Sequence, residues 1–191
     1  MKERKDLPTT AQLAAEMKRL RYGERFRRSV RNTVGSLIVA AAAAVLISTL
    51  LLPVLRVTGA SMTPTLQNDQ VLLCNKLAQP ERGDIIAFYY NNKVLIKRVV
   101  GLPGDVVDIT EDGTVCLNGE TLAEPYVSEL AVGECDISLP YQVPENRFFV
   151  MGDHRAVSID SRSTSVGCIA EENIIGTIFF RILPLRERGF F

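Results

Sequence analysis

Between Arg31 and Arg56 the chain carries no charged residue. The core of that gap, residues 34–55, is 22 residues made mostly of Ala, Val, Leu and Ile. At about 1.5 Å per residue a helix of this length reaches about 33 Å, the thickness of a membrane's hydrocarbon core. A cleaved leader has an apolar region of only about 7–15 residues, so this run is expected to be an uncleaved transmembrane anchor. Little else about the chain is as constrained: it must fold as one apolar helix with its two flanking segments on opposite sides.

Charge is distributed to match. Residues 1–31 carry ten Lys and Arg against four acids, a balance of +6 hidden in a formal total of zero. A basic head can read nucleic acid, but this one leads straight into the apolar run, so lipid is the expected partner and nucleic acid is not. Arg25, Arg27, Arg28 and Arg31 precede the span and only Arg56 follows it closely, which predicts a cytoplasmic N-terminus and an extracytoplasmic remainder. Three regions are therefore expected: a basic, partly helical cytoplasmic segment over 1–33, an anchor over 34–55 and a domain over 56–191. Thr10 is placed to cap the basic helix, and Gly23 is expected to weaken its continuity into the span.

Past Arg56 the pattern becomes short β-rich runs, at 70–74, 85–89, 94–100, 106–110, 114–117, 148–151 and 174–182, separated by turn signals such as Asn91-Asn92, Leu102-Pro103-Gly104-Asp105 and Asn118-Gly119. The fold class is thus mainly β, an antiparallel β domain behind an N-terminal transmembrane helix. Residues 120–146, with three prolines, read as an irregular excursion. Cys74, Cys116, Cys135 and Cys168 lack metal-ligand spacing, and the chain has a single His, so no metal or cofactor is expected. Cys116 with Cys135 is a disulfide option in an extracytoplasmic domain, against four unpaired core cysteines.

Ser61 lies six residues beyond Leu55, which holds it within about 20–22 Å of the end of the span. A serine attacks only if a neighbour takes its proton. Lys97 sits in an alternating strand pattern with Leu95 and Val99 on its own face and Ile96 and Val100 on the other. Such a lysine is either an edge-strand residue that blunts pairing or a desolvated base. A base at neutral pH requires a fall of about three units from ~10.4, within the reach of burial. A third segment, Met151-Gly152-Asp153-His154-Arg155-Ala156-Val157-Ser158-Ile159-Asp160-Ser161-Arg162, packs both signs of charge beside a hydrophobic run, as a solvated loop or as an ion-paired scaffold.

Taken together, the segments resemble the type I signal peptidases, the Ser/Lys leader peptidases, in their short Gram-positive-like form. The resemblance spans nearly all of residues 34–182. Ser61-Met62-Thr63-Pro64-Thr65-Leu66 is similar to that family's nucleophile box. Arg82-Gly83-Asp84-Ile85-Ile86-Ala87-Phe88 is similar to the strand box, and Lys97-Arg98-Val99-Val100-Gly101-Leu102-Pro103-Gly104-Asp105 to the lysine box. Gly152 to Arg162 resembles the C-terminal box, with His154 in place of the usual Asn and a longer stretch after Arg162.

The resemblance implies a signal-peptidase-like β domain in which Ser61 is the nucleophile, Lys97 the general base and Ser158 the residue that orients the lysine amine. It also implies a supporting ion-paired shell of Asp153, Arg155, Asp160 and Arg162. Gly59 stands where some members carry a hydroxyl toward the oxyanion, which leaves the Ser61 backbone N–H to that task. The implied activity is removal of N-terminal signal peptides with small residues at −1 and −3 from exported preproteins, bound as an added strand. The alternative is a non-catalytic membrane accessory protein on the same fold, which predicts loss of Ser61 or Lys97. A His154-based triad is a poorer option, because Asp153 is its immediate sequence neighbour.

Overall fold

The computed structural model describes residues 10–191; Lys2, Arg4 and Lys5 of the basic head lie outside them. Within them, α1 (Thr10–Leu51) is one unbroken 42-residue helix. Gly23 does not interrupt it. One interior glycine costs about 1 kcal/mol relative to alanine, which the helix-forming residues on both sides absorb. The C-terminal end falls earlier than the sequence suggests, and Pro53 explains why. Its ring disfavours the α conformation at Leu52 and supplies no N–H, so the helix stops at Leu51. Val54 and Leu55, assigned to the anchor on composition, instead open strand β1 (Val54–Arg56). Leu37, Ile38, Val39 and Leu46 of α1 are each more than half exposed.

Residues from Leu50 to Phe191 form a second compact unit, mainly antiparallel β. Its strands after β1 are β2 (Val71–Asn75), β3 (Ile85–Tyr90), β4 (Lys93–Gly101), β5 (Val106–Ile109), β6 (Val115–Leu117) and β7 (Glu120–Thr121). Then come β8 (Tyr141–Gln142), β9 (Arg147–Met151), β10 (Ile169–Ala170), β11 (Ile174–Leu183) and β12 (Gly189–Phe190). The seven strands read from sequence all occur, each within one residue at either end. The five unforeseen ones are two or three residues long, too short to carry a periodicity.

An eight-stranded sheet runs in the order β1-β2-β11-β3-β4-β9-β10, with β12 added to β11, and a four-stranded sheet runs β7-β6-β5-β8. Two tight turns set hairpin registers: Asn91 and Asn92 (φ 45° and 62°) between β3 and β4, and Asn118 and Gly119 (φ 53° and 88°) between β6 and β7. Leu102-Pro103-Gly104-Asp105 closes with Asp105 N–H donating to the Leu102 carbonyl at 3.0 Å, with Gly104 at φ 86°, as a type II turn requires. The excursion over 120–146 holds only β7 and β8. Cys74, Cys116, Cys135 and Cys168 are all free thiols.

Candidate active site

Ser61 is placed by the turn that it opens. Met62 and Leu66 are buried with Val57, Leu72, Ile85 and Ile178. The intervening turn closes through Leu66 N–H to the Met62 carbonyl at 2.8 Å and Thr63 N–H to the Ala60 carbonyl at 3.1 Å. Apolar anchors four residues apart thus draw one side of the turn into the core and leave Ser61 half-buried at its rim. Gly59 has φ 97°, a conformation costly for any side-chain-bearing residue, and donates its N–H to Asn68 Oδ1 at 2.9 Å.

Lys97 lines the same cleft as Ser61. Residues 55–59, Ser61, Met62 and residues 93–97 line it, around a volume of about 380 Å³. The lysine is 4% exposed, so the alternation read from sequence describes a buried position rather than a blunted edge. Burial pushes its ammonium down to about 8, Asp160 and Asp153 draw it partly back, and Arg162 pushes it further down. Its amine donates to Ser158 Oγ at 2.8 Å. Among the described residues the amine's hydrogen bond goes to Ser158 and not to Ser61.

The segment after β9 is folded around ions. Asp160 and Arg162 pair at 2.8 Å, both fully buried. Arg162 also donates to the carbonyls of Val132, Arg155 and Ser158, and Asp160 Oδ2 accepts from Gly152 N–H at 2.9 Å. Asp153 and Arg155 are equally buried but pair outside the segment. Asp153 takes two hydrogen bonds from Arg98, at 2.8 and 2.6 Å, and Arg155 holds Glu124 through two. Arg98 also lies 3.9 Å over the Tyr126 ring, whose hydroxyl donates to Glu124 at 2.9 Å. Burial and then Glu124 raise the Tyr126 phenol, which keeps it a neutral donor.

Every site residue expected from sequence is therefore in this region. Ser61, Lys97 and Gly59 line the cleft, Ser158 touches the lysine, and Asp153, Arg155, Asp160 and Arg162 are buried behind it. Sequence reasoning missed Arg98, Glu124 and Tyr126. Arg98 carried a signal, a second cation in a buried strand pattern. Glu124 and Tyr126 carried none, because their partners are 31 and 28 residues away. Arg98 engages both Asp153 oxygens, and the His154 ring contact is to Thr63.

Chemically the cleft offers a half-buried serine, a desolvated lysine in the same lining, and a free strand edge. The first half of β4 pairs with β3 on one side, while β9 meets only its second half, from Arg98 onward. Residues 93–97 thus present an unpaired edge to the cleft.

Comparison with known proteins gives a family match and several relatives. A family model described as signal peptidase, peptidase S26, matches residues 30–183. Signal peptidase I of Bacillus amyloliquefaciens is 36% identical over 165 residues, covering 80% of this chain and 84% of that protein. Signal peptidase I T of Bacillus subtilis strain 168 shows the same identity and coverage. Signal peptidase I of Bacillus licheniformis is 36% identical across 84% of this chain and 92% of its own. A crystal structure of a signal peptidase I from Enterococcus faecalis V583 is 31% identical, covers 52% of this chain and 97% of its own, and superposes with a TM-score of 0.43.

Proposed function

The chain belongs to the signal peptidase, peptidase S26 family, and on that premise we propose that it is a membrane-anchored serine endopeptidase that removes signal peptides from exported preproteins through a Ser61–Lys97 dyad. The observation that carries the dyad is buried Lys97, its proton affinity lowered to about 8, lining the same cleft as Ser61. An accessory protein has no use for a desolvated lysine in one cleft with a serine.

The chemistry is built from these groups. Neutral Lys97 accepts the Ser61 proton as Oγ attacks the scissile carbonyl, and Ser158 holds the amine on line. The tetrahedral oxygen is met by the Ser61 backbone N–H. The Lys97 ammonium then protonates the departing amine, and a water deprotonated by Lys97 releases the acyl group from Ser61. An extended substrate pairs with the free edge of residues 93–97, which brings its scissile bond to the cleft.

Anchoring rests on α1, long and apolar enough to cross a membrane, with its apolar side chains exposed. The basic flank from Arg25 to Arg31 supports a cytoplasmic N-terminus. Protease added to intact spheroplasts is expected to digest residues 57–191; a protected domain reverses this orientation.

The dyad is tested by cleavage of a model preprotein in detergent. Ser61→Ala and Lys97→Ala are each expected to fall to background while remaining folded, and His154→Ala to retain measurable turnover. Loss of activity in folded His154→Ala together with its survival in Lys97→Ala overturns the lysine mechanism.

A further inference from the structure

His154, the chain's single histidine, uses its backbone N–H, its backbone C=O and its ring to tie the Ser61 turn to the Ser158 segment. Its N–H donates to the Ser61 carbonyl at 3.0 Å. Its carbonyl accepts from Ser158 N–H at 3.1 Å. Its ring Nδ1 lies 3.0 Å from Thr63 Oγ1, two residues past the nucleophile. We infer that His154 is a positioning residue for the reaction: it fixes the Ser61 turn against the serine that aims Lys97, and its ring does so as an Nδ1–H donor to Thr63. This rests on the dyad reading above.

The direction of the ring bond comes from counting protons. The Thr63 hydroxyl has one hydrogen, and Oγ1 lies 2.9 Å from the Ala60 carbonyl, which can only accept. That hydrogen is therefore committed to Ala60. Oγ1 faces His154 with a lone pair, so the proton between them belongs to Nδ1. The chain Nδ1–H to Thr63, Thr63 O–H to Ala60, then holds the residue immediately before Ser61. The ring Nδ1 contact is to Thr63, while the Asp153 carboxylate is engaged by Arg98.

Asparagine can replace this donor. Its Nδ2 is attached to Cγ, as the imidazole Nδ1 is, so His154→Asn keeps an N–H at the same number of bonds from the backbone. Alanine keeps both backbone bonds and loses only the ring contact. Loss of one hydrogen bond that acts on alignment rather than on binding corresponds to about fivefold in kcat.

The test uses full-length protein in detergent with a model preprotein. His154→Ala and Thr63→Val are each expected to lower kcat about fivefold with KM nearly unchanged. The double variant is expected to be no slower than either single one, and His154→Asn to restore turnover. Because only one imidazole exists, the ¹⁵N spectrum of histidine-labelled protein, at a pH where the ring is neutral, reads the tautomer without assignment. Nδ1–H is expected in the wild type, with loss of that preference in Thr63→Val. Wild-type kcat in His154→Ala, additive effects in the double variant, a His154→Asn as slow as His154→Ala, or an Nε2–H ring in the wild type each overturns the proposal. Should His154→Ala not fold, Thr63→Val and the spectrum decide. Activity surviving in Ser61→Ala and Lys97→Ala defeats the dyad instead, and leaves the tautomer result standing.

Discussion

The segment 152–163 and the four-stranded sheet each have a buried interior, but by opposite means. In the sheet, Val107, Ile109, Val115 and Leu117 pack with Val100, Val143 and Phe149, and nothing in that cluster is charged. In the segment, Asp153, Arg155, Asp160 and Arg162 are each no more than 1% exposed. Apolar packing is non-directional and tolerates modest repacking. Buried ions tolerate none, because removing one partner strands the other in a medium that cannot solvate it. Among the described residues the buried side-chain atoms without partners, Thr177 Oγ1 and Arg181 Nε, both lie on β11, so every buried polar side-chain atom of the segment is satisfied. One region contributes stability, the other fixes geometry.

Lys97 breaks the comparison most sharply, since among the described residues it is a buried cation that makes no salt bridge. Its folded pKa of about 8 lies below the unfolded value of 10.5, so between these the unfolded chain binds more protons. Stability therefore rises as pH climbs through that window, and below it the folded protein bears a desolvated charge. Lys97→Met is expected to abolish cleavage and to stabilise the domain at neutral pH by up to about 3 kcal/mol, read by denaturant unfolding at two pH values. In the wild type, turnover is expected to rise through about pH 8 as the amine becomes neutral. A rate flat from pH 7 to 9 counts against the lysine as base.

Gly152 comes next. A Cβ there would meet Ser158 Oγ, and would lie 2.5 Å from the Ser61 carbonyl and 2.6 Å from Ser158 Cβ. The nucleophile turn and the lysine-orienting serine close on one another over a residue with no side chain. Gly152→Ala must push them apart, and a misplacement of about 1 Å costs about a hundredfold in rate. A hundredfold loss of kcat with an unshifted pH profile is expected; unchanged kcat means the two segments are not in register for catalysis.

These positions also show how much a sequence can disclose. The seven strands read in advance were legible because alternation and turn residues are local. Lys97 was legible because a lysine among Leu95, Ile96, Val99 and Val100 contradicts its surroundings. The helix stops at Leu51, four residues before the uncharged apolar run does, because Pro53 breaks the backbone pattern while the composition continues. The pairing of the ions was not legible at all. Asp153 and Arg155 are near neighbours in sequence and pair with Arg98 and Glu124, 55 and 31 residues away. Charge alternation announces that a cluster exists, and only the fold decides who partners whom.

Ser158→Ala separates orientation from binding. The variant leaves Lys97 buried but removes the acceptor of its one hydrogen bond, at 2.8 Å. A loss of about tenfold in kcat, with KM little changed, is expected for a base that is present but no longer aimed. A rise in KM without a fall in kcat would assign Ser158 to the peptide groove instead.

The smallest expected effect on cleavage comes from the other region, and it carries the comparison's other half. Leu117 is 6% exposed on β6 and packs in the apolar cluster, away from the cleft-lining residues. Leu117→Ala removes buried methyl groups and leaves a cavity, at a cost of about 2–4 kcal/mol. Since no ion loses its partner and no hydrogen bond to Ser61, Lys97 or Ser158 is touched, kcat/KM below the melting range is expected to stay within about twofold. The paired measurement is a denaturant midpoint and a cleavage rate on the same sample. A lowered midpoint with an intact rate keeps the division between a stabilising sheet and a geometry-fixing segment. A rate that falls in step with stability would mean the two sheets share strain through β4 and β9, whose Val100, Phe149 and Met151 pack in the same cluster as Leu117.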